Sequence, residues 1–129
     1  MLKQRVVTAV LLLAVFLPTL FYPSIEPFAA FTLLLIGAAG WEWARLNGCG
    51  PTRAVAIGLA LGVALLIFWL LGGVERPWRG LWMVVGALWI VLAVVMLRLG
   101  VARWSTWPVS LRLWLGLFLI ACAWLALVQ

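Results

Sequence analysis

Apolar residues fill this chain in long runs with no stripe and no alternation, and polar residues gather in the short gaps between them. The first run, Val6 to Tyr22, is broken only by Thr8, Pro18 and Thr19 and follows a basic start at Lys3 and Arg5. Further runs cover about 28–46, 54–71, 81–97 and 109–128. Each approaches the roughly 20 residues that carry a helix across the hydrocarbon core. A strand crossing the same core would alternate polar and apolar positions, and none of these runs does. The pattern predicts an all-α integral membrane bundle of five transmembrane helices, forming a single domain over residues 1–129.

The gaps mark the turns. Pro23 and Pro27 bracket Ser24-Ile25-Glu26, which predicts a tight turn and makes the first two spans antiparallel neighbours. Asn47-Gly48-Cys49-Gly50-Pro51 reads as a strong helix stop. Gly72 to Gly80 and Arg98 to Pro108 form the remaining connections. The basic start and first run resemble a signal peptide, but no small-x-small cleavage site follows, so an uncleaved first helix is expected.

Composition agrees with the pattern. Hydrophobic residues make up 68% and charged residues 9% of the 129 positions, against roughly 45–50% and about 25% in an average soluble domain. The net charge of +6 would suggest nucleic acid in a soluble protein. Here the cations lie in the gaps, where they orient helices and meet phosphate headgroups, so lipids and not nucleic acid are the expected partners. Lys3, Arg5, Arg45, Arg53, Arg98, Arg103 and Arg112 fall on one side and only Arg76 and Arg79 on the other. That imbalance predicts a cytoplasmic N-terminus. Of ten tryptophans, Trp41, Trp43, Trp78, Trp82, Trp104, Trp107 and Trp124 fall near span ends, as an interfacial aromatic belt requires. Cys49 and Cys122 lie toward opposite faces and are not expected to pair, and no Cys/His cluster offers a zinc or iron–sulfur site.

One stretch places a carboxylate between indoles: Trp41-Glu42-Trp43-Ala44-Arg45-Leu46. A bare carboxylate at the membrane border is costly, and Arg45 stands three residues on, on the same helical face. Trp41, Glu42, Trp43 and Arg45 are therefore candidates for a helix-end anchor or for a site holding an anionic lipid headgroup. Ala54, Gly58 and Gly62 form a small-residue stripe suited to close helix packing, with a homodimer face as the alternative use. No residue qualifies as catalytic and none as a metal ligand. Metal-assisted phosphoryl transfer needs clustered carboxylates, whereas Glu26 and Glu75 are expected outside and Glu42 inside. The chain has no histidine to activate Ser24, Ser105 or Ser110, which are expected in loops, and no glycine-rich loop followed by lysine.

The opening Met1-Leu2-Lys3-Gln4-Arg5-Val6-Val7-Thr8-Ala9, the apolar hairpin, and the Trp41 to Leu46 stretch together resemble the N-terminal half of bacterial phosphatidate cytidylyltransferase, or CDP-diglyceride synthase. The residue match runs to about Gly50 and is hydropathic beyond it. The resemblance implies an inner-membrane enzyme of phospholipid biosynthesis that condenses CTP with phosphatidic acid, using Mg2+, to give CDP-diacylglycerol. It also implies a C-terminal half rich in Asp, Lys and His motifs that binds metal and nucleotide. This chain contains no aspartate or histidine, so it is expected to be inactive alone and to carry no cofactor. The rival readings are a small proton-coupled transporter working through Glu42, and a non-catalytic membrane interaction subunit.

Overall fold

A computed structural model describes residues 2–100 and 106–129. Five helices follow in order: α1 (Leu2–Leu20), α2 (Glu26–Leu46), α3 (Pro51–Leu70), α4 (Arg79–Leu99) and α5 (Val109–Val128). The all-α membrane bundle is thus observed, with no strand among the described residues. Four helices, α2 to α5, are long and apolar enough to cross a membrane, and the apolar part of α1 is the shorter Val6–Leu20. Arg103, Trp104 and Ser105 lie outside the described residues.

Helix ends follow the proline and glycine chemistry, with one correction. Pro27 does not close the first turn from outside; it sits in the first turn of α2, and Pro51 likewise opens α3. Proline is tolerated there because its missing N–H would have had no helical partner. Consequently α2 and α3 begin earlier than the apolar runs, and Ser110, expected in a loop, lies in the first turn of α5.

At the end of α2, Gly48 adopts φ +83°. Its N–H bonds the Arg45 carbonyl at 3.0 Å, and the Cys49 N–H bonds the Ala44 carbonyl at 3.1 Å. This pair of bonds is a Schellman closure, which needs the left-handed residue that glycine supplies without strain. Gly72, at φ +74°, ends α3 in the same way, with Gly72 N–H to Trp69 and Gly73 N–H to Phe68.

The packed centre consists of α2, α3 and α5. Trp124 of α5 is wholly buried, donates its indole N–H to the Ala29 carbonyl at 3.3 Å, and meets Trp69 edge-on at 6.3 Å between centroids. Phe28, Leu33 and Val128 complete this cluster. Trp124 is therefore core and not part of an interfacial belt: its position near a span end coincides with the inward face of α5. Phe16 of α1 meets Phe28 in a tilted ring contact at 5.8 Å between centroids, which ties α1 to the same cluster. By contrast α4 buries only Val85 along its length. It is held near its start, where Trp78 N–H bonds the Gly73 carbonyl at 2.7 Å and Trp82 N–H bonds the Gln129 side-chain oxygen at 3.1 Å.

Candidate functional site

The Trp41 to Arg45 stretch forms the last turns of α2, and a short connection leads from it into α3. Successive helical residues turn by 100°, so Trp41 and Trp43 point to opposite sides while Glu42 faces outward between them. Trp41 lies against α3: a Cβ on Gly58 would come within 2.8 Å of the Trp41 Cβ. Trp43 lies against α5, where its indole N–H reaches the carbonyls of Arg112 at 3.3 Å and Leu113 at 3.2 Å. Its ring occupies the space that any side chain at Gly116 would need. Ala44, between the two contacts, has no exposed surface. One short sequence thereby clamps three helices.

Arg45 Nη1 donates to Glu42 Oε1 at 3.0 Å, the expected i,i+3 pair, with both side chains 52% exposed. At that exposure the pair contributes roughly 1 kcal/mol or less. The Arg45 guanidinium also lies 5.3 Å from the centre of the Trp41 ring, a cation–π distance. Glu42 stands four residues before the last residue of α2 and is already engaged, far from the midplane position that proton coupling would require. Asn47 closes the helix end by donating its amide to the Trp43 carbonyl at 2.9 Å.

The small-residue stripe divides by role. Ala54 is fully buried, and Gly58 is in close contact with α2, where an added Cβ would sit 2.6 Å from the Gly37 carbonyl oxygen. Gly62 meets nothing: a Cβ there enters open space. Its face is therefore unused by packing within this chain. It lines instead an apolar groove of about 420 Å³ between α2 and α3, together with Leu34, Gly37, Trp41, Val55 and Gly58. For Gly58 the partner is α2 of the same chain.

No group of three or more His, Cys, Asp or Glu side chains comes together among the described residues, so the residues present do not fit a divalent metal. Cys49, partly exposed in the α2–α3 turn, and Cys122, buried in α5, are both free thiols. Sequence reasoning missed Arg112, which entered only the charge census. Its Nε is buried without a hydrogen-bond partner, one residue from a carbonyl that accepts from Trp43. Gly37 and Gly116 were missed as well; facing Gly58 and Trp43, they let the helices meet.

Among curated proteins, the phosphatidate cytidylyltransferase of Pseudomonas aeruginosa is 31% identical over 140 aligned positions, which take in 99% of this chain and 46% of that protein. The chain resembles phosphatidate cytidylyltransferase along its whole length. The similarity to the cytidylyltransferase thus extends past Gly50, beyond the residues that first carried it, and the chain spans about half the length of that relative. No protein-family model matches the chain, and no solved structure matches it.

Proposed function

We propose that this chain is the N-terminal membrane part of a phosphatidate cytidylyltransferase, an enzyme that makes CDP-diacylglycerol from CTP and phosphatidic acid. The similarity to the P. aeruginosa enzyme over 99% of the chain carries the reading. The clustered basic residues support a place in a bacterial inner membrane with the N-terminus cytoplasmic, since cations concentrate on the cytoplasmic side. In that orientation the Trp41 to Arg45 clamp anchors α2 at the cytosolic surface and holds the wall through which a lipid substrate approaches.

The chemistry falls to residues outside this chain. A nucleotidyl transfer assisted by Mg2+ needs carboxylates that converge on the metal and the triphosphate. The three glutamates, Glu26, Glu42 and Glu75, are spread over the start of α2, its end and the α3–α4 connection. The 129 residues supplied with CTP, phosphatidic acid and Mg2+ are expected to release no CDP-diacylglycerol. Joined to the part of the P. aeruginosa enzyme that the chain does not match, they are expected to support synthesis. Turnover by the chain alone would overturn the placement of the chemistry.

The open face of α4 favours one second reading, a non-catalytic membrane subunit that binds another helical protein. Full activity of the P. aeruginosa remainder without the chain would favour that reading.

A further inference from the structure

Trp89 stands at the middle of α4, as far from Arg79 as from Leu99, and its side chain is 56% exposed. At 1.5 Å per residue, each end of the helix is about 15 Å away. The other exposed indoles among the described residues, Trp41 and Trp114, each lie five residues from a helix end, where a tryptophan reaches the headgroup level. Trp89 has no such reach, and its N–H makes no hydrogen bond among the described residues. An acyl chain offers no acceptor at that depth, so lipid alone leaves the group unsatisfied. A neighbouring helix can supply one from a polar side chain or a carbonyl.

The same side of α4 leads to the end of α5. Trp82, Gly86, Trp89 and Ala93 recur at spacings of four, three and four, which puts them on one face of the helix, beside the face that buries Val85. Trp82 heads this face and donates its indole N–H to the Gln129 side chain at 3.1 Å. A Cβ at Gly86 meets no atom and Ala93 is exposed, so a partner can come close on either side of Trp89. Gln129, the last residue after α5, thus sits at one end of a face that is otherwise uncovered by described residues.

We propose that this face receives a transmembrane helix from the other half of the cytidylyltransferase, which presents a hydrogen-bond acceptor to Trp89 Nε1. The proposal rests on the reading of this chain as the membrane part of that enzyme. Only 46% of the P. aeruginosa relative is matched, so more than half of its length lies outside the chain. In the joined protein, a span that follows Gln129 starts beside Trp82, crosses in the same direction as α4, and runs along Gly86 and Trp89. A second copy of this chain on the same face would block that path.

The test is photo-crosslinking from a benzophenone amino acid at position 89, in the 129-residue chain co-expressed with the remainder of the P. aeruginosa enzyme. A cross-link to the remainder is expected from position 89 and none from position 91, where Val91 is 57% exposed on the opposite side of α4. Should the two pieces not assemble, the joined protein, cut at a protease site after Gln129 once irradiated, gives the same reading. Trp89→Phe, which keeps a ring and loses the N–H, should lower co-purification of the remainder about threefold, and Trp89→Ala about tenfold. Val91→Ala should change nothing. Cross-links from position 89 to lipid alone or to a second copy alone, equal cross-linking from both positions, or unchanged co-purification by Trp89→Ala would overturn the proposal. Cross-linking to the remainder without CDP-diacylglycerol synthesis would overturn only the functional reading above, and synthesis without that cross-link would overturn only the docking face.

Discussion

Helices α2 and α4 are of equal length at 21 residues, yet they stand in opposite relations to the rest of the molecule. α2 buries Phe28, Ala29, Thr32, Leu33, Gly40 and Ala44, and its last turns reach both α3 and α5. α4 buries Val85 alone and is fastened near its start by two indole hydrogen bonds. The more apolar of the two is α4, with a mean hydropathy of 2.5 against 1.2. Apolarity therefore measures how readily a helix enters lipid and not how firmly it packs. In lipid, association depends on close contact, and the glycines at 37, 40, 58 and 116 give α2 that contact.

The largest test of this contrast replaces a tryptophan in each region. Trp124→Ala removes a side chain with no exposed surface, together with its bond to Ala29. It is expected to cost about 3 kcal/mol, the low end for such a truncation because lipid contributes no transfer term. Trp89→Ala on α4, where the side chain is 56% exposed, should stay within about 0.5 kcal/mol. Reversible unfolding in mixed micelles measures both, and equal losses would erase the distinction between the helices.

Glycines give the next comparison. Gly58→Ala places a Cβ against the Gly37 carbonyl and Trp41, so α2 and α3 must separate, at a cost of about 1–3 kcal/mol. Gly86→Ala on α4 meets no atom and is expected to gain up to about 1 kcal/mol from helix propensity. The same unfolding measurement should show the two changes with opposite signs.

The smallest effect concerns charge. Glu42→Gln breaks an ion pair that is half exposed on both sides, and should cost less than about 1 kcal/mol. A double-mutant cycle with Arg45→Gln isolates the coupling. A coupling of several kcal/mol would mean that the pair is shielded from water, and would move Glu42 into the buried half of the comparison.

Helices and turns were legible in the sequence because transfer into lipid is written residue by residue, and because proline and glycine interrupt the runs at Pro23, Gly48 and Gly72. The Glu42–Arg45 pair was legible for the same local reason, a three-residue helical spacing. Packing partners were not. When every face of a helix is apolar, no stripe distinguishes the side that meets protein from the side that meets lipid, so Trp124 looked interfacial and Gly62 looked like its neighbour Gly58. The candidate site was half visible: the residues of the clamp stood out, but its geometry depends on Gly116 and Gly37, which carry no chemistry of their own.

Gln129 bonds three partners with one carboxamide: it accepts from Trp82 and donates to the carbonyls of Val74, at 3.2 Å, and Arg76, at 2.7 Å. An amide neither titrates nor carries net charge, so the fastening of α4 to α5 is indifferent to acidity and to the electrical field across a bilayer. That field acts on a full charge with about 2.3 kcal/mol per 100 mV. The joint between α4 and α5 thus rests on uncharged groups, whereas the end of α2 carries a full ion pair between Arg45 and Glu42.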